Sequence, residues 1–583
     1  MSSSFTRALC GTVVAALLPL TAMSPLSAAE EPSADAPVEV DGLTPTEVAD
    51  EVERTGNPVV AILDDGDDLT IKTYDADDAD EARDVAEKLE KNDDLVALDV
   101  DQRVRGADSE VKILGDHAGS GAENWKQYAL DRTGARTAFN IGTRSVKVAV
   151  VDTGVDAAHP DLAGRVLNGA EFLDRNTGHR GRVDDHGHGT HVAGIVGALH
   201  NNAGVDGFAT HVQILPVKVL DKQNLGWTSD FAQGIIWAAN NGAQLINVSL
   251  TSTGRDAAVL AAVRHARRKG ALVIAAAGND GAGAPVSYPA AHPETISVAS
   301  TNQSDYWANF SSVRGDVDIA APGQDIISLW PNQRVAVLSG TSMAAPAVTG
   351  AIASLMSTGI TANQAYSALV ASAKDIAGGR MGLSFGTDPY TGIGRIDVAA
   401  ATKPVVSFLG SVGRTYTAGT TARMQVRVSH LGRPLANRAV TIRTSTGRTA
   451  NVRTGANGQA AFNVPLLRGT TIEARTAGIA ARRTTFARVQ PHARVKLKKY
   501  KASSQRKYRK VRLTIARPAR QKVVVQVKNG RRWKTVKNAR LGATTRAKTY
   551  SWKVNARSSK KRYVRVKIYA GGGLVSRTIT VKG

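Results

Sequence analysis

Ser339-Gly340-Thr341-Ser342-Met343-Ala344-Ala345-Pro346 joins a β-rich run, 335–338, to an apolar helical run, 347–356. That order predicts a strand, a tight turn and a helix. A serine at such a junction holds its hydroxyl clear of the backbone, and the N–H groups of the helix start face negative charge developing on a substrate oxygen. Ala344 and Ala345 let the helix pack closely under a substrate, and Pro346 is expected in the first turn, where no N–H partner is lost. A lone serine before a helix is an N-cap. Ser342 becomes a nucleophile only if a base and a group that orients the base lie elsewhere in the chain.

Both occur upstream. Val148-Ala149-Val150-Val151 reads as a buried strand ending at Asp152-Thr153-Gly154, and His186-Gly187-His188-Gly189-Thr190-His191 opens a second helix. The motifs VVDTGVD, HGTHVAG and GTSMAAP, in that order within residues 124–402, resemble those of secreted subtilisin-type serine proteases, the subtilases. The resemblance implies Asp152 as orienter, His188 as base and Ser342 as nucleophile. It also implies Asn279, after the apolar strand 272–277, as the oxyanion donor. The strand 246–250 is expected to pair with an extended substrate backbone, making Ser249, Leu250 and Thr251 one wall of the substrate pocket, with Gly278 and Ser287 near its base and Asp280 at its rim. Subtilases usually follow the Ser-Leu pair with two glycines; Thr251 and Ser252 stand here, and Thr251 is expected to narrow the pocket.

The stretches Asp156-Ala157-Ala158-His159-Pro160-Asp161 and Leu199-His200-Asn201-Asn202-Ala203-Gly204-Val205 resemble the family's calcium site. Asp161 and Asn201 would supply side-chain oxygens and Leu199, Ala203 and Val205 carbonyls, with Asn124 as a further candidate. The alternative is a plain asparagine-rich turn. Zinc on His186, His188 and His191 has no further ligand pattern behind it, and His191 reads as structural.

Charge divides the chain. Residues 30–105 hold 25 acids against 7 bases, whereas residues 403–583 hold 44 bases and one acid, Glu473. Arg7, the apolar stretch 9–20 and Ser27-Ala28-Ala29 read as a secretory signal peptide over 1–29, and it carries the one cysteine, Cys10. The exported remainder then has no disulfide and depends on packing or bound metal. No other apolar run reaches the roughly 18 residues that span a bilayer.

The expected organisation is a signal peptide (1–29), an acidic α+β propeptide (30–105) that assists folding and blocks the active site, and a linker holding the maturation bond (106–123). An α/β protease domain with a mostly parallel sheet (124–402) follows. Two all-β modules end the chain, an immunoglobulin-like one (405–490) and a basic one (491–583). Within the propeptide the pattern predicts strands at 59–63, 69–74 and 95–100 and a helix over 79–89. Unopposed bases self-repel unless an anionic surface neutralises them, so the tail is expected to bind an anionic wall polymer, nucleic acid or acidic polysaccharide. The expected protein is a secreted, wall-associated serine endopeptidase acting on protein or peptide substrates, made as a zymogen that binds its own propeptide. An inactive protease scaffold that only binds a wall or matrix is the alternative.

Overall fold

A computed structural model describes the chain from residue 38, apart from residue 39 and short internal breaks, the longest at 117–126, 174–180, 377–386, 500–507 and 556–562. The signal peptide, Cys10, Asn124 and parts of the linker, 108–110 and 117–123, lie outside the described residues.

The first elements are α1 (Pro45–Thr55), β1 (Val59–Asp64), β2 (Leu69–Tyr74), α2 (Ala79–Leu89) and β3 (Leu95–Val100). The strands form an antiparallel sheet in the order β2-β1-β3. Side chains alternate across it. Val59, Ala61 and Leu63 pack under α1 and α2, whereas Val60 and Ile62 turn to a second core shared with helices of the larger unit. Helix α1 was not expected from hydrophobic periodicity. Its signal is a capping box: Thr44 Oγ1 accepts from Glu47 N–H, the Glu47 carboxylate accepts from Thr44 N–H, and Pro45 follows the cap.

Two short strands come next, β4 (Arg103–Gly106) and β5 (Lys112–Asp116). The second falls inside the expected linker. Its apolar Ile113 and Leu114, with Val111 just before it, suit it to an open sheet edge better than to a free tether.

The larger unit runs through α3 (Tyr128–Thr133), β6 (Val146–Asp152), β7 (Ala170–Glu171), α4 (His188–Gly197), β8 (Val212–Lys218), β9 (Leu225–Trp227), α5 (Thr228–Asn240), β10 (Leu245–Val248) and β11 (Leu250–Thr251). It continues with α6 (Ala257–Arg268), β12 (Leu272–Ala276), β13 (Ile296–Thr301), β14 (Ile319–Pro322), β15 (Ile326–Trp330), β16 (Arg334–Leu338), α7 (Thr341–Met356) and α8 (Ala362–Ser372). Seven strands form a parallel sheet in the order β14-β13-β12-β10-β6-β8-β7. Its strands are buried on both faces and read as continuous apolar runs, as parallel sheets require. One core lies against α4 and α7, the other against α5 and α6. In such a sheet, sites form beyond the carboxyl ends of the strands.

From Val405 onward every described element is a strand apart from turns. Val405–Leu409, Thr420–His430, Arg433–Pro434 and Gln459–Leu466 make one sheet, and Thr415–Thr417, Ala439–Thr444, Thr449–Arg453, Thr470–Thr476 and Arg483–Gln490 another. Val406, Met424, Phe462, Val440 and Ile472 close a common core between the two sheets. Two further antiparallel sheets follow between Ala493 and Lys582. Among the described residues no helix is long and apolar enough to cross a membrane.

Candidate active site

Asp152 is the last residue of β6, His188 the first of α4 and Ser342 the second of α7. All three are fully buried, and Asp152 Oδ1 lies 2.7 Å from His188 Nδ1. Asp152 Oδ1 also accepts from Thr153 N–H at 2.8 Å. A carboxylate on Nδ1 fixes the ring and its tautomer, leaving Nε2 as the nitrogen that can exchange a proton. Ser342 Oγ donates to the Ser249 carbonyl at 2.9 Å.

Pro346 lies inside α7 rather than in its first turn, because the helix already begins at Thr341. A proline there has no N–H to give to the carbonyl four residues earlier, which is that of Ser342. Ser249 Oγ takes the place, donating to Ser342 O at 2.9 Å. Asn247 Nδ2 in turn donates to Ser249 Oγ, and Thr349 Oγ1 donates to Asn247 Oδ1, each at 2.9 Å. The carboxyl end of β10 and the start of α7 are therefore tied together at the nucleophile candidate.

Asn279 follows β12. Its Oδ1 accepts from both the N–H and the hydroxyl of Thr341 at 2.9 Å, while Thr341 Oγ1 accepts from Gly278 N–H at 3.1 Å. An amide whose oxygen is held by two donors must turn its Nδ2 the other way. Gly278 has φ +102°, and a Cβ there would sit 2.5 Å from Ser287 Oγ, so only glycine fits between Asn279 and Ser287. Ser249, Leu250, Thr251 and Ser287 are all buried.

Beside this wall, β4 runs as the middle strand of three, antiparallel to both β9 and β11. Arg105 pairs with Thr251 and Gly106 with Leu250. Immediately upstream, Asp101 accepts from Thr228 Oγ1, Ser229 N–H and Ser229 Oγ at the start of α5. Asp99 accepts from Ala257 N–H at the start of α6, supplementing the cap that Asp256 gives Val259 N–H. Acidic groups at two helix N-termini suit the helix dipole. Asp99 is pushed up to about 6, by desolvation first and then by the charges of Asp101 and Glu51, and Asp256 to about 8, by desolvation first and then by the charge of Asp99.

Sequence reasoning missed Asp184. It is buried, and its carboxylate accepts from Thr153 Oγ1, His186 N–H, Gly187 N–H, Thr190 N–H and Thr190 Oγ1 at 2.6–3.1 Å. It binds the residue after Asp152 to the residue before His188. Desolvation raises its pKa despite these donors. The only signal was an acidic residue four positions before the histidine, which alone reads as a solvated loop. His191 is structural as expected: Nε2 lies 3.2 Å from Ala336 O, and burial pushes its pKa down to about 3.

Asp161, Leu199, Asn201, Ala203 and Val205 come together. The buried Asp161 carboxylate accepts from Asn201 Nδ2 at 2.9 Å and from Val205 N–H at 3.0 Å, Asp161 O accepts from Leu199 N–H at 2.8 Å, and Asn201 Oδ1 accepts from Ala203 N–H at 2.9 Å. Among the described residues no three His, Cys, Asp or Glu side chains are grouped to hold a metal ion, which removes zinc on the three histidines. The Asp161 set offers one carboxylate and one amide, oxygen donors of the kind that calcium takes. Asn201 must turn its oxygen inward to complete it.

The sequence profile of the subtilase family matches residues 143–387. The chain is 41% identical over 278 residues to Thermitase of Thermoactinomyces vulgaris, an alignment covering 47% of this chain and 95% of that protein. It is 43% identical over 228 residues to Subtilisin Savinase of Lederbergia lenta, covering 39% of this chain and 82% of that protein. Against the Minor extracellular protease Epr of Bacillus subtilis (strain 168) it is 36% identical over 267 residues, 45% of this chain and 40% of that one. The chain therefore belongs to the subtilase family and is a subtilisin-like serine endopeptidase.

Proposed function

We propose that peptide bonds are cut through an acyl-enzyme, with Ser342 as nucleophile, His188 as general base and then acid, Asp152 as orienter, and Asn279 Nδ2 with Ser342 N–H as the oxyanion site. The observation that carries this reading is the convergence at one end of the parallel sheet. A 2.7 Å Asp152–His188 pair, a serine at a helix start and an amide anchored by its oxygen meet there. Turning about χ1 takes the Ser342 hydroxyl from the Ser249 carbonyl toward His188. The substrate lies extended against Ser249, Leu250 and Thr251, with the side chain before the scissile bond directed toward Gly278 and Ser287.

The protein is made with a signal peptide (1–29) and an acidic propeptide (30–105) that covers the site, and it is secreted. The strand position of β4 and the helix caps from Asp99 and Asp101 support the propeptide reading. Calcium, held by Asp161, Asn201 and the carbonyls of Leu199, Ala203 and Val205, would stabilise the 199–205 loop. The two β-modules (405–490, immunoglobulin-like, and 491–583) hold the enzyme to an anionic wall polymer or other polyanion. Exposure of the secreted protein to a fluorophosphonate is the test. Loss of casein hydrolysis with label on Ser342 is expected. Full hydrolysis by Ser342→Ala in a protease-free host overturns the reading.

A further inference from the structure

We propose that the chain processes itself at the peptide bond on the carbonyl side of Ala107, and that the enzyme accepts Arg-Gly-Ala before a scissile bond. This rests on the zymogen reading above and fixes where it acts.

Two separate edges of the enzyme grip the chain on either side of the site. Upstream, β4 is inserted between β9 and β11. Downstream, β5 is antiparallel to β16, with Lys112 opposite Val337 and Asp116 opposite Arg334. Strand β16 leads through Ser339 and Gly340 into α7, which carries Ser342, so edges of the same site hold the chain upstream of residue 107 and downstream of residue 111.

Hydrogen bonding selects one bond within that connection. Ala107 N–H donates to Ser249 O at 3.2 Å, the same oxygen that accepts the Ser342 hydroxyl at 2.9 Å. The two donors are thus no further apart than those bonds laid end to end. In a trans peptide the carbonyl preceding an N–H points the opposite way, so the Gly106 carbonyl faces away from Ser342. In extended backbone the N–H and C=O of one residue share a side. The Ala107 carbonyl is therefore the one presented to Ser342. Attack by Oγ forms the ester on that carbon and breaks its C–N bond. The amine of residue 108 leaves with the proton carried by His188, and water then releases the Ala107 carboxylate and restores the serine.

Each of the three residues before that bond meets a defined neighbour. Ala107 is 5% exposed, so its methyl fills a closed position. A Cβ on Gly106 would lie 2.1–2.5 Å from the side chain of Asn224, itself 7% exposed, which makes glycine the fitting residue. Arg105 is paired with Asp280 at 3.1 Å.

The test is the amino terminus of the secreted wild-type protein, read by mass spectrometry beside Ser342→Ala and Ala107→Arg. A mature chain starting at Asp108, uncut Ser342→Ala and at least a tenfold slower cut in Ala107→Arg are expected, the size that a misfitting pocket residue imposes. Because Ala107→Arg could misfold, the mature wild-type enzyme is also given a peptide of residues 103–112, expected to be cut after its alanine. A Ser342-dependent cut at another bond in both substrates overturns the assignment and leaves the zymogen reading standing. A chain that is never cut, or is cut equally in Ser342→Ala, overturns both.

Discussion

Asp184 offers the sharpest test of how the site is held, because it touches neither Asp152 nor His188 yet joins the segments that carry them. In Asp184→Ala, two hydroxyls, those of Thr153 and Thr190, can turn to other partners, but the N–H groups of His186, Gly187 and Thr190 are left facing an apolar void. An unsatisfied buried donor costs about 1–3 kcal/mol, so a loss of about 3 kcal/mol or more is expected. Asp184→Asn keeps the shape and one acceptor oxygen. It sets an NH₂ against Thr190 N–H alone, and removal of a desolvated charge offsets part of that, so about 1–2 kcal/mol is expected. The turn bearing His188 loosens with it, and displacement of a reacting group by about 1 Å costs about a hundredfold in rate. Urea unfolding of both variants, in an inhibited enzyme to prevent self-digestion, gives the stability; kcat on a soluble peptide gives the second reading. An alanine variant with an unchanged urea midpoint and kcat within threefold of wild type would refute the role.

Asn279→Ala is expected to lower kcat by about 10²–10³ with little change in KM, since the amide bond strengthens as the oxyanion forms; equal losses in both parameters would sink the assignment. Asp99 has a pKa raised to about 6 in the covered enzyme against an ordinary 3.8. The complex therefore binds more protons than its separated parts, and propeptide affinity should be greatest below pH 4 and fall by up to about a hundredfold as pH rises through 6. A pH-independent inhibition constant contradicts this, and Asp99→Asn should flatten the profile. His191, depressed to about 3, contributes stability that is present above pH 6.5 and lost as pH falls toward 3. The thermal midpoint of His191→Asn should accordingly be less acid-sensitive than that of wild type. Binding of the whole protein to heparin or anionic wall should weaken about a thousandfold or more between 50 and 200 mM salt if six to ten anionic groups are neutralised; salt-independent retention would show a different mode of attachment.

The parallel sheet and the candidate site residues were legible because each sits where a local pattern changes kind. An apolar strand stops at Asp152 and another shortly before Asn279, and helices start at His188 and just before Ser342. Those transitions survive any tertiary packing. What escaped was long-range or carried by polar residues. Helix α1 buries only a short stripe of small apolar residues, Val48, Ala49 and Val52, among many acids, and its clearest signal is the cap at Thr44, Pro45 and Glu47. Asp184 matters through donors spread from Thr153 to Thr190, which no linear window contains. Strand β5 exists because β16 presents an edge to it, and the Pro346 position followed from α7 starting at Thr341, well before its apolar run at 347.

Pro346 sets the interests of the helix against those of the site. A residue with an N–H there would give α7 its missing bond, and proline costs a helix interior about 3 kcal/mol. The same repair would compete with Ser249 Oγ for the Ser342 carbonyl and slacken the tie between the nucleophile and the strand that aligns substrate. Selection for thermal resistance alone should drift away from proline at this position, and selection for turnover should bring it back.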